Sequence, residues 1–289
     1  MRKIEYSVPE KYNAVPLYYF LRECVGVSTR IIQSLRHTPK SVYVNGLESR
    51  VIDEVKTGDE IIIFLPEKTE APQLWETELS VIYEDEDLLI INKPSGVSVH
   101  PTRNHPNGTL CNAVAAYLKK EGNESFVARA VGRLDKVTSG VMVFAKNAFV
   151  ASKLNGNLDK TYIALAEGIL KGNGTVDAPI YRPDMNKTIR AVGEQGDKAI
   201  TNWEALRCFD NKTMLKLKTI TGRTHQIRVH CAHIGHPLVG DEMYGAAVTE
   251  YMKRAALHCY EVKIIHPITK EEKTFVAELP DDFKKEMNN

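Results

Sequence analysis

An apolar strand that ends abruptly constrains this chain more than any other feature. Ile61-Ile62-Ile63-Phe64-Leu65 gives way to Pro66-Glu67-Lys68-Thr69-Glu70-Ala71-Pro72, which has no hydrophobic period and carries two prolines. Proline cannot donate to a sheet ladder, and a stretch without periodicity has no face to bury, so the segment reads as a linker. This predicts a small unit over residues 1–68, a linker over 69–78 and a large unit over 79–289. The small unit holds two short amphipathic helix candidates. One carries Leu17, Phe20 and Leu21; the other opens at Ser28 or Thr29 and carries Ile31, Ile32 and Leu35. Val42-Tyr43-Val44, an Asn45-Gly46 turn and a Gly58-Asp59 turn then lead into the apolar strand. A small α/β module is expected.

Beyond the linker the pattern is mixed. Val81-Ile82-Tyr83, an acidic turn and Leu88 to Ile91 read as a hairpin, and Leu110 to Lys119 as a helix. Val141 to Ala145 is an apolar strand. Met214 to Thr219 alternates Leu215 and Leu217 with Lys216 and Lys218, as a half-buried strand should. Strands outnumber helices and do not alternate with them regularly, which favours α+β over a doubly wound sheet.

Composition excludes some classes. Apolar residues make up 43% and charged residues 26%, as in an ordinary globular protein, and no stretch has the roughly 20 apolar residues that cross a bilayer. Met1-Arg2-Lys3 begins no apolar signal region, and the five cysteines are scattered without a Cys-x-x-Cys pair. A reducing cytoplasm is expected. The net charge is only +1, but it is unevenly spread. Met1 to Gly46 has seven Lys/Arg against three acids, and Asn211 to Gly240 has five Lys/Arg, four histidines and no acid. Two readings stand: a polyanion meets these patches, or acids from elsewhere in the fold pair with them.

Three segments concentrate special residues. Asn92-Lys93-Pro94-Ser95-Gly96-Val97-Ser98-Val99-His100-Pro101 fixes a rigid loop after a buried strand. Gly132-Arg133-Leu134-Asp135-Lys136-Val137-Thr138-Ser139-Gly140 places an Asp between two cations. Their field favours the ionised carboxylate that a nucleophile or general base requires; a structural ion pair on a loop is the alternative. In Thr221-Gly222-Arg223-Thr224-His225-Gln226-Ile227-Arg228-Val229-His230, Thr224 is expected to cap a helix with Ile227, Cys231 and Ile234 on its buried stripe. Arg228 on that helix could hold a carboxylate or phosphate with its planar fork.

These segments, in this order, resemble the signature blocks of the RluA-type pseudouridine synthases, which convert uridines of large-subunit rRNA or tRNA. The resemblance runs from about Val81 to Phe283, and includes Ala256-Leu257-His258 and His266-Pro267. The first seventy residues are similar to the small RNA-binding domain named after small-subunit ribosomal protein four. The fold implied is a mixed, largely antiparallel sheet in two halves around a basic catalytic cleft. By resemblance Asp135 is the catalytic carboxylate and Arg133 occupies the stack position of the flipped base. Tyr162, in Lys160-Thr161-Tyr162-Ile163-Ala164, lies against the uracil, and Arg228 is the ion-pair partner of Asp135. Gly132 departs from the family, many members of which carry His there. The implied partner is structured RNA, with large-subunit rRNA first and tRNA second, handled by a monomer without an obligate protein partner.

The chemistry is consistent with this set. Breaking N1–C1′ and joining C5 to C1′ is an isomerisation that needs no redox agent, and neither cofactor nor metal is expected. It needs an extruded base, an aromatic face and an ionised carboxylate beside the sugar, which either attacks C1′ or removes the 2′ proton. A metal hydrolase using His225, His230, His233 and His236 is the rival enzyme, but no His-Glu-x-x-His motif is present and the first acid after them is Asp241. A non-catalytic RNA-binding protein is the other rival. It has no use for Asp135, Tyr162 and Arg228 together.

Overall fold

The computed structural model describes residues 2–65, 73–102, 106–121, 127 and 129–288. Residues 66–72, most of the apolar-to-proline transition, lie outside these, as does the 69–72 part of the expected linker. Gln73 to Glu78 has no regular structure, and is tied to the large unit where Asn112 Nδ2 donates to the Gln73 carbonyl at 2.6 Å.

The N-terminal sheet follows from short local signals. Its order is Lys3–Ser7, Glu60–Phe64, Val42–Val44 and Leu47–Glu48, all antiparallel. Asn45 and Gly46 both take positive φ, 51° and 79°, the backbone of the tight hairpin turn that such a pair favours. Ser28 caps the helix Thr29–His37, its hydroxyl accepting from the Ile31 amide. Ile31, Ile32 and Leu35 are buried on one side of this helix, while Arg30, Arg36, His37 and the following Lys40 are exposed. Arg2 links this sheet to the rest, forking onto Asp87 with two 3.0 Å bonds and meeting Glu86 at 2.7 Å.

The large sheet is α+β and almost wholly antiparallel, as expected. Its order is Asn173–Asp177, Ile200–Phe209, Lys212–Thr219, Asp159–Glu167, Leu257–Ile265, Ser139–Ala145, Leu88–Lys93 and Val81–Glu84. Arg129–Val131 and Glu272–Val276 pair at its sides. All seven residues of Ser139–Ala145 are buried, as are Leu88 to Ile91, which explains their unbroken apolar runs. Each large apolar side chain taken from water in this way contributes about 1.5–3 kcal/mol.

The exception to the antiparallel rule positions the site. Ser139–Ala145 and Leu257–Ile265 run parallel and pair only at Ser139 with His258 and Gly140 with Cys259. This two-residue seam joins the two halves of the sheet. Gly140 has φ +113°, and a Cβ there would lie 2.2 Å from the Cys259 carbonyl oxygen, so no larger residue fits. On its other side Cys259 pairs with Tyr162. The loop of Asp135 and the strand of Tyr162 therefore approach the same seam from opposite halves.

The basic stretch at 211–240 turns out to be neutralised. Lys212 meets Glu286 at 2.6 Å, Lys216 meets Glu204 at 3.6 Å, and Lys218 meets Asp159 at 2.9 Å. Arg223 meets Asp197 at 3.4 Å and Arg228 meets Asp241 at 2.7 Å. The fold brings acids from other segments to every one of these cations. Each of the five cations of this stretch thus has an acidic partner, as the pairing reading expects.

Candidate active site

Asp135 lies in the turn that enters the strand Ser139–Ala145, closed by the Thr138 amide donating to the Asp135 carbonyl at 3.1 Å. Gly132 begins the turn at φ +73°. The carboxylate is 15% exposed and stands between two guanidinium groups. Arg133 Nη2 is 4.0 Å away on a side chain that is largely in solvent, and Arg228 Nη1 is 3.9 Å away on one that is buried.

The first special segment braces this turn. The Gly96 amide donates to the Lys136 carbonyl and the Ser95 hydroxyl to the Val137 carbonyl, both at 2.8 Å. Lys93 is fully buried, and its ammonium donates to the carbonyls of Pro94 (2.9 Å), Val97 (2.7 Å) and Lys136 (3.2 Å). Burial, with Arg254 adding repulsion, pushes its pKa down to about 7. From the far side Arg254 donates to the Val137 carbonyl and is itself held by Asp282 at 2.8 Å. Sequence reasoning found the loop but not these two braces, because a Lys or Arg in the sequence does not announce which carbonyls it will reach.

Tyr162 sits on the strand Asp159–Glu167, beside a bulge between Thr161 and Tyr162. It is 8% exposed. Burial raises its phenol well above 10, so the hydroxyl keeps its proton at neutral pH. With Asp135, Lys160 and the Thr219–Arg223 turn it lines a cleft of about 320 Å³, at the lower end of the size that encloses a small ligand.

Arg228 lies on the helix Gln226–His233, but its principal partner is not the expected one. Nε and Nη2 each donate to Asp241 at 2.7 Å, and Asp135 receives only the longer approach of Nη1. Tyr244 lies beneath, its ring centroid 5.0 Å from the guanidinium carbon. The Tyr244 hydroxyl accepts from the Arg190 amide at 3.0 Å and stands 2.8 Å from His225 Nδ1. Although burial alone would lower it, the Asp241 bonds and the nearby Asp135 hold the Arg228 pKa above its ordinary value. Asp241 and Tyr244 were the missed residues; the acid that follows the His-rich stretch was their one signal.

The entry to this helix also differs from expectation. His225, not Thr224, is the N-cap, in a left-handed conformation with φ +58°. Gln226 ties the turn instead, its Oε1 accepting from Thr221 Oγ1 and the Arg223 amide while its Nε2 donates to the Ile200 carbonyl. The four histidines do not converge. His230 bonds Thr201 and the Ala178 carbonyl, His236 donates to the Glu167 carbonyl, and among the described residues no group of three metal-ligating side chains assembles. No described helix is long and apolar enough to cross a membrane.

Comparison with known proteins bears on this arrangement. The RNA pseudouridylate synthase family profile matches residues 87–233. The chain is 38% identical over 269 residues to the uncharacterized RNA pseudouridine synthase YjbO of Bacillus subtilis, covering 90% of this chain and 94% of that one. It is 42% identical over 228 residues to ribosomal large subunit pseudouridine synthase D of Haemophilus influenzae, covering 73% and 70%. Among solved structures it resembles human RNA pseudouridylate synthase domain containing 1, with a TM-score of 0.55, 26% identity and coverage of 74% and 86%. With Asp135, Tyr162 and Arg228 gathered at the seam of a mixed sheet, the chain belongs to the RNA pseudouridylate synthase family, of the RluA type, enzymes that isomerise uridine in RNA to pseudouridine.

Proposed function

We propose that this enzyme modifies specific uridines of structured RNA, large-subunit rRNA in first place and tRNA in second, with Asp135 as the catalytic carboxylate acting on a flipped-out base. The observation that carries the reading is the position of Asp135, between Arg133 and Arg228 in a cleft walled by Tyr162. Extrusion of the base costs a few kcal/mol. A face of Tyr162 against the uracil returns about 1–3 kcal/mol. Arg133, exposed and on the same turn, fills the vacated stack. The carboxylate then acts on the sugar side, at C1′ or at the 2′ proton. The N1–C1′ bond breaks, C5 joins C1′, the C5 hydrogen leaves to solvent and N1 gains a proton.

Residues 1–68 act as an RNA-binding domain, with the exposed cations Arg30, Arg36 and Lys40 against phosphates, and residues 79–289 carry the chemistry. The enzyme works in the cytoplasm as a monomer, without metal or cofactor. The name of the Haemophilus influenzae relative supports large-subunit rRNA as the substrate. Sequencing of pseudouridines in rRNA and tRNA from cells with and without the protein tests this. One or a few large-subunit sites should vanish with the protein, whereas an unchanged map in both RNAs would overturn the reading.

A further inference from the structure

Lys160 is set apart from the other cations of this region. It lies two residues before Tyr162 on the strand Asp159–Glu167, and both side chains line the cleft. Its neighbours Lys216 and Lys218 are matched by Glu204 and Asp159. Among the described residues, no hydrogen-bond acceptor or carboxylate partners the Lys160 ammonium, and the group acting on it is the Cys259 thiol. Burial lowers its pKa below the ordinary lysine value. A half-buried, partly desolvated ammonium without an anion is an unfavourable arrangement that an incoming anion relieves.

Gly132 keeps that ammonium uncovered. A Cβ at position 132 would stand 3.1 Å from Lys160 Nζ and 3.8 Å from Leu158 Cδ1. The missing side chain leaves the cation facing the turn that carries Asp135. RNA offers one kind of anion, the phosphodiester. We infer that Lys160 binds a backbone phosphate of the RNA strand in the cleft, beside the nucleotide on which Asp135 acts, and that Gly132 leaves the opening for it. The inference rests on the reading that this cleft receives a uridine of RNA.

The test uses the full chain and RNA extracted from cells lacking the protein, labelled with tritium at C5 of uracil. Lys160→Gln should raise KM for tritium release by about tenfold, the scale of removing a charge-assisted hydrogen bond, with kcat little changed. The slope of log KM against log salt should become shallower by about 0.7–0.9, the share of one phosphate. Lys160→Arg should restore most of the KM and the salt slope, because charge is what the phosphate requires. Gly132→Ala should raise KM in the wild-type background and add nothing to Lys160→Gln, as expected for two residues serving one phosphate. Gly132 stands at φ +73°, where a Cβ is strained, so this variant is judged by its salt slope, which should become shallower as in Lys160→Gln and which strain alone would not move. Wild-type KM and salt slope in Lys160→Gln, beside an active wild type, would overturn the Lys160 assignment alone, as would equal losses in Lys160→Gln and Lys160→Arg. A wild type that releases no tritium would sink the uridine reading beneath it and this inference with it.

Discussion

Arg228 and Asp241 are locked by two 2.7 Å hydrogen bonds, Nε to Oδ2 and Nη2 to Oδ1, with both side chains almost wholly buried. That grip fixes the plane of the guanidinium and leaves Nη1 directed at Asp135, 3.9 Å away. Asp241 is therefore a positioning residue, and it also balances a cation that burial would otherwise penalise.

Asp241→Asn is accordingly expected to cost about 3–5 kcal/mol of stability, the scale for breaking a buried ion pair, and to lower kcat as Arg228 loses its orientation. Arg228→Lys should fall between wild type and Arg228→Ala, since the charge stays but the two-toothed fork is gone. Urea denaturation and tritium release from C5-labelled RNA measure both effects. Wild-type stability and turnover in Asp241→Asn would show that Arg228 is oriented by something else.

Asp135→Asn keeps the shape of the side chain and removes its charge. Turnover should be abolished while RNA affinity changes little, because in the proposed mechanism the chemical step needs the ionised group and binding does not. A kcat within about tenfold of wild type, only about 1.4 kcal/mol in the barrier, would remove Asp135 from the chemistry.

Gly140→Ala tests the seam. The new methyl would be driven into the Cys259 carbonyl at a φ that L-residues rarely adopt. A loss of about 2–4 kcal/mol is expected from overpacking and backbone strain together. Activity should fall further than stability alone explains, because Cys259 also carries the register of Tyr162. A variant as stable as wild type would mean that the two sheet halves can separate without cost.

The N-terminal cations predict a salt effect. Arg30 and Arg36 are exposed on a helix whose other side is buried, so Arg30→Gln with Arg36→Gln should leave thermal stability unchanged. RNA binding should weaken, and its log–log salt slope should drop by about 0.7–0.9 for each phosphate no longer neutralised. An unchanged slope would take this helix away from RNA.

Acid should destabilise the fold through its buried and half-buried histidines. Burial lowers the pKa of His225, His230 and His258 below the unfolded value of 6.5. Between the lowered folded values and 6.5 the unfolded chain binds more protons, so stability rises with pH across that window and is lost as pH falls through it. Urea midpoints at about pH 7.5 and at progressively lower pH check this, and a midpoint that rises on acidification would contradict it. His258→Gln should flatten part of the slope, since His258 bonds both Ser139 and the Ala277 carbonyl as a buried neutral ring.

The chain's local chemistry determined a good deal without tertiary information. The Ser28 cap, the Asn45-Gly46 turn, the apolar runs at Leu88 to Ile91 and Val141 to Ala145, and the alternation at Met214 to Thr219 all depend on neighbours within a few residues. Three segments rich in Gly, Pro, Thr and charge stand out as a candidate site for the same reason, and with the Lys160-to-Ala164 block their resemblance to a family points to Asp135, Arg133, Tyr162 and Arg228 as candidates. Pairing over long separations was not legible. Asp241 completes Arg228 from 13 residues away, Arg254 reaches Val137 across 117, and Cys259 lies between Gly140 and Tyr162 only because two strands meet in parallel for two residues. A carboxylate, a carbonyl or a cation carries no mark of its distant partner, so the folded sheet alone decided that Lys212, Lys216, Lys218 and Arg223 would be neutralised while Lys160 faced an open cleft.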